Sequence, residues 1–137
     1  MAGFERYRTV SAVLLEELSK PYEYGVADCF MLGCRVADAL DGTLGLAALY
    51  GGAYSTLTGA QRALRRHGFK SLAELFGSHL PPVAPAAAQT GDLAILRLSD
   101  GDHVGVIAYA AVVTKTERGR SSHPVAAAVA AFRTGGG

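Results

Sequence analysis

The chain has no tryptophan, only two cysteines and almost no excess charge of either sign. A net charge of +1 removes the usual electrostatic reason to expect a nucleic-acid partner. Cys29 and Cys34 are too few for a disulfide framework and lack zinc-ligand spacing. On a helix they would lie about 140° apart around the axis, a poor geometry for a bridge. Such usage fits synthesis in a reducing cytoplasm. No uninterrupted apolar run reaches membrane-spanning length, so membrane insertion is not expected. Met1 to Arg8 lacks a basic segment followed by a long apolar core, so no signal peptide is expected. A target beyond the cell membrane would then require another means of delivery. Neither a cofactor nor a metal is expected.

What is present is globular. Half of the 137 residues are apolar and 18% are charged, enough for one modest core. Phe4, Tyr7, Ser11, Leu14, Leu15 and Leu18 recur at helical spacing, which predicts an amphipathic helix ended by Lys20-Pro21. Tyr22 to Ala27 reads as an extended segment or turn. Asp28 is placed to cap a second helix running to Leu40, apolar nearly all round and so expected to be buried. Asp41-Gly42 should end it, with Gly42 left-handed.

Thr43 to Ser55 reads as an irregular crossover with about one helical turn. A helix over Leu57 to His67, stopped at Gly68, and a capping box at Ser71 to Glu74 follow. Pro81, Pro82 and Pro85 mark an extended linker. Beyond Gln89 the pattern changes to strands at Leu93–Leu98, His103–Tyr109 and Ala111–Thr116. Asp100-Gly101 signals a hairpin between the first two. Arg118 to Ser122 reads as a turn, and Val125 to Phe132 as a short apolar segment open to a helical reading. Residues 1–133 are expected to form a single domain and residues 134–137 a flexible glycine-rich tail. Helices first and a meander second predict an α+β domain. Arg62, Arg65, Arg66, His67 and Lys70 read as a solvated helix face, the alternative being docking to an acidic surface.

Cys29 would sit at a helix N-terminus, where unpaired N–H groups and the macrodipole favour a thiolate. The same groups suit the oxyanion of a tetrahedral intermediate. The negative charge of Asp28 opposes this unless it faces the cap. Of the four histidines, His67 suits a helix C-terminus, and His79 and His123 fall in loops near prolines. His103 opens a strand just after a turn, which holds a side chain more firmly. Spacing alone leaves open that Cys29 is a small buried hydrophobe and His103 an ordinary strand residue.

Pro21-Tyr22-Glu23-Tyr24-Gly25-Val26-Ala27-Asp28-Cys29-Phe30 resembles the nucleophile motif of NlpC-like peptidoglycan endopeptidases. Gly91-Asp92-Leu93 resembles the start of that family's first core strand, and His103-Val104-Gly105-Val106-Ile107 the strand bearing its histidine. All three occur in the family's order. The compact branch encoded by tailed phages and prophages is the nearer resemblance, with Pro124 and Phe132-Arg133 similar to its ending.

The resemblance implies a papain-like (NlpC-type) α+β fold, with the nucleophile helix packed on a C-terminal antiparallel sheet. It implies Cys29 and His103 as catalytic residues, supported by Tyr24, Asp28 and Thr114. It also implies peptidoglycan and phage tail-tip or hub proteins as partners, and a place at the virion tail tip. The particle would then supply the delivery. The orienting group for the histidine belongs on the next strand, where Thr114, Lys115 and Thr116 stand in place of the usual His, Asn or Gln. Thr114 can accept a hydrogen bond; Lys115 cannot. The alternative is therefore a tail-tip structural component that keeps the fold without the chemistry. A thiol-dependent acyltransferase on the same fold is a third reading.

Overall fold

The computed structural model describes residues 3–135. They form an α+β arrangement, with helices along the first half and a six-stranded antiparallel sheet in the second. Helix α1 (Gly3–Leu18) buries Val10 and Leu14 and ends before Lys20-Pro21. Proline lacks the N–H that another turn would need. Helix α2 (Cys29–Leu40) starts where Asp28 accepts a hydrogen bond from the Met31 N–H at 2.8 Å. Its apolar surface is buried on several sides at once, between α1 and the sheet. This is the packing that such an apolar helix requires.

Asp41 ends α2 in an extended conformation, and its carboxylate accepts from Thr43. Gly42 is not left-handed, contrary to expectation, because Asp41 makes the break itself. Helices α3 (Leu46–Tyr50), α4 (Leu57–Arg66) and α5 (Leu72–Gly77) follow. Thr56 caps α4 and Ser71 caps α5 through their hydroxyls.

The strands are β1 (Pro82–Val83), β2 (Leu93–Leu98), β3 (Gly101–Ala108), β4 (Ala111–Thr116), β5 (Gly119–His123) and β6 (Ala128–Phe132). Their order across the sheet is β1-β6-β2-β3-β4-β5. The last strand thus enters between β1 and β2. Leu93, Ile95, Val104 and Val106 join the main core with Val10, Leu32 and Phe76. The alternate residues Ala94, Leu96 and Ile107 form a smaller cluster with Val112, with Ala88 and Val125 packed against it. Period-two alternation supplies both faces.

Further sequence expectations are corrected. Arg118–Ser122 is not a turn: only Glu117-Arg118 separates β4 from β5, and His123 therefore ends a strand rather than lying in a loop. Val125–Phe132 is not helical beyond a 3₁₀ turn at Val125–Ala127, because its alanines complete the ladder against β2. The proline segment is more than a linker, since Pro82 and Val83 pair with Phe132 and Ala131.

Thr134 is not part of a flexible tail. It is fully buried, and its hydroxyl donates to the Gly91 carbonyl and accepts from Arg6. Gly136 and Gly137 lie outside the described residues. Thr134 belongs to a buried knot around Asp92, whose carboxylate takes Arg6 at 3.0 Å and Arg133 at 3.1 Å. That knot ties α1, the start of β2 and the end of β6 together.

Candidate functional site

The site is assembled where the N-terminus of α2 meets the start of β3. Just before the helix, Glu23 and Ala27 pair to close a tight turn. The turn points Gly25 N–H at Asp28 Oδ2, at 2.8 Å. Asp28 also accepts from the Tyr54 hydroxyl at 2.6 Å, besides capping Met31. Its charge is therefore directed into donors on three sides. Cys29 is the first residue of α2 and is 8% exposed.

Cys29 Sγ lies 3.8 Å from His103 Nδ1, at the long end of hydrogen-bond range for sulfur. His103 Nε2 is 2.8 Å from Asp100 Oδ1, in the turn between β2 and β3. Burial pushes the Cys29 thiol up to about 11, with the Asp28 charge adding to the rise. Hydrogen bonds from the Val104 backbone and the Tyr22 side chain pull the other way without reversing it. Burial thus favours the neutral thiol over the thiolate. The hydrogen bond to His103 holds the Asp100 carboxyl below the usual carboxylate range.

An open groove of about 300 Å³ runs beside this pair. Its walls include Phe30, Tyr50, Leu57, Leu64, Leu72 and Leu75, so they are mostly apolar. Such a surface grips an apolar part of a ligand and offers few polar anchors. Tyr24 lines the groove, and its hydroxyl donates to Glu117 Oε1 at 2.6 Å. That bond pushes the phenol up to about 12. Among the described residues, no group of three or more His, Cys, Asp and Glu side chains is arranged to hold a metal ion.

Cys29, His103, Asp28 and Tyr24 thus border one groove. Thr114 does not reach it. Its hydroxyl donates to the Val104 carbonyl at 2.6 Å, so it binds the back of the histidine strand and cannot orient the ring. Lys115 is buried with its ammonium on the carbonyls of Glu17 and Lys20. Thr116 turns toward Gly119. The residue that does contact the ring is Asp100, which in the sequence stands out only as half of a hairpin signal. Its placement three positions before a strand-opening histidine was the available clue. Of the other histidines, His79 Nε2 bonds the Tyr50 hydroxyl at 2.7 Å. His67 packs edge-on against the same ring.

The fold and site define an α+β chain with a buried cysteine–histidine pair, backed by an exposed aspartate, at the mouth of an apolar groove. A family model described as a domain of unknown function, DUF6950, matches residues 5–134, and the chain belongs to that family. No curated protein matches the chain.

Proposed function

We propose that the chain is a papain-like cysteine peptidase or amidase that hydrolyses amide bonds of peptidoglycan stem peptides. In this reading it is carried to the wall in the tail tip of a phage-like particle, docked on hub proteins. The observation that carries the chemistry is the 3.8 Å approach of Cys29 Sγ to His103 Nδ1 beside an open groove. The substrate and the particle rest on the sequence resemblance to NlpC-like enzymes. The order of a capped nucleophile helix followed by an antiparallel meander supports the papain-like assignment.

In the proposed reaction Sγ attacks the amide carbonyl carbon while its proton passes to His103 Nδ1. Collapse of the tetrahedral intermediate breaks the C–N bond, and the leaving amine takes that proton. Water then attacks the thioester with His103 as base, which releases the acid and restores the thiol. Because burial raises the thiol pKa, proton transfer accompanies attack rather than preceding it. Backbone N–H groups at the start of α2 are the candidates to hold the oxyanion.

One observation favours the structural alternative. Cys29 is buried, and burial pushes its thiol up, which makes it a poor resting nucleophile. Wall turnover by the purified protein separates the two readings. The enzyme reading expects Cys29→Ala and His103→Ala to abolish release of stem-peptide fragments that the wild type produces. Equal release by all three proteins leaves only the structural role.

A further inference from the structure

The strand following the histidine strand offers no orienting group for His103. Thr114, Lys115 and Thr116 are each bonded to backbone carbonyls elsewhere. We propose that Asp100, in the turn that precedes the histidine strand, is the positioning residue for His103. This rests on the reading of Cys29 and His103 as nucleophile and base, and it moves the third member of the set from the next strand to the preceding hairpin.

The chemistry of the contact supports the role. A carboxylate only accepts hydrogen bonds. Its 2.8 Å contact with Nε2 therefore requires the proton on Nε2 and leaves the lone pair of Nδ1 facing Cys29 Sγ. That is the tautomer a base for the thiol needs. When Nδ1 takes the thiol proton, the imidazolium keeps its Nε2–H and gains an adjacent negative charge. Asp100 itself never takes the proton. The neighbouring carboxylate cannot substitute, because Asp102 pairs with Arg97 at 3.1 Å.

The bond to His103 also keeps the Asp100 carboxyl below the usual carboxylate range. A depressed value means the contact is complete above the ordinary carboxylate pKa and is lost only as pH falls through the lowered one. The chain reverses through Ser99 and Asp100, with Leu98 paired to Gly101, and Gly101 takes φ +127°. This local reversal lets a side chain three residues upstream fold back over the ring. The carboxylate is 67% exposed, so its removal should not threaten the fold.

Three proteins test this: wild type, Asp100→Ala and Asp100→Asn. The wild type should show a downfield, slowly exchanging His103 Nε2–H proton by NMR, identified by its loss in His103→Gln. Asp100→Ala should lose that signal. Asp100→Asn should keep it, because the amide oxygen still accepts. Carbamidomethylation of Cys29 by iodoacetamide at pH 8 should slow at least threefold in Asp100→Ala, as in His103→Gln, and recover partly in Asp100→Asn. A persistent Nε2–H signal in Asp100→Ala, or alkylation equal to wild type, overturns the role. Neither readout uses a wall substrate. Wild type that alkylates as described but releases no wall fragments would end the peptidase reading and leave Asp100 as the group that positions His103.

Discussion

Two cysteines five positions apart in one helix sit in different chemical settings. Cys34 is fully buried among apolar side chains, and burial pushes its thiol well up. Cys29 lines the groove and contacts His103. Alkylation should therefore modify Cys29 in the folded protein and spare Cys34 until unfolding. Because burial pushes the Cys29 thiol up to about 11, its rate in His103→Gln, which lacks the base, should climb steeply from pH 7 to pH 10. The expected slope is about tenfold per pH unit, as thiolate becomes available. Peptide mapping after timed iodoacetamide exposure measures both residues at once. A rate in His103→Gln already flat at neutral pH would mean that burial does not raise the Cys29 thiol.

Between elements, one close contact decides how well the site is held. Helix α2 lies close on β3 because Gly33 has no side chain: a Cβ there would stand 2.6 Å from Val104 Cγ1. Valine is stiff at χ1 and cannot easily yield. Gly33→Ala should push α2 off the strand one turn beyond Cys29, costing about 1–3 kcal/mol as in other overpacked cores. Urea unfolding gives the loss, and slower Cys29 alkylation at pH 8 would report the widened gap to His103.

The β3–β4 turn carries the opposite kind of imperfection. Tyr109 and Ala110 both take positive φ, at 55° and 59°, in a turn that favours glycine or asparagine. Tyr109 is retained by its edge-on packing against Tyr7 and its contact with Ser11. Ala110 has no comparable contact among those described. Ala110→Gly should raise stability by about 1 kcal/mol, since glycine enters this region without the Cβ penalty. An unchanged or lower urea midpoint would contradict that account.

At the scale of the molecule, Asp92 joins the two ends of the described chain. Its fully buried carboxylate meets Arg6 from α1, Arg133 beyond β6 and the Thr134 N–H at 3.1 Å. Removing it would strand two guanidinium groups, one of them buried. Asp92→Ala should cost about 3–5 kcal/mol, the usual penalty for breaking a buried pair from one side. Thermal and urea unfolding should both show it. A shift below about 1 kcal/mol would mean that the arginines find other acceptors. In the sequence Gly91-Asp92 stands out only by its resemblance to the start of a strand. That Asp92 anchors both chain ends depends on residues more than forty positions away on either side.

Local rules carried the helical half and the first hairpin. Periodicity marked α1, a capping aspartate and apolar content marked α2, and the bounds of α2, β2 and β4 match those legible in the sequence. A capping aspartate, a proline stop and period-two alternation are short-range physics, visible in a few consecutive residues. Cys29 and His103 were singled out on the same basis, as a helix start and a strand start. The tertiary structure decided what no window contains. It turned Ala128–Phe132 of the alanine-rich segment into a strand because β2 had an edge to fill. It placed Thr134 in the core because Asp92 and Arg6 needed a partner there. It also turned Thr114 to the Val104 carbonyl and brought Asp100 over His103. Which polar group reaches a ring is set by register and by competing hydrogen bonds, and those exist only once the chain has folded.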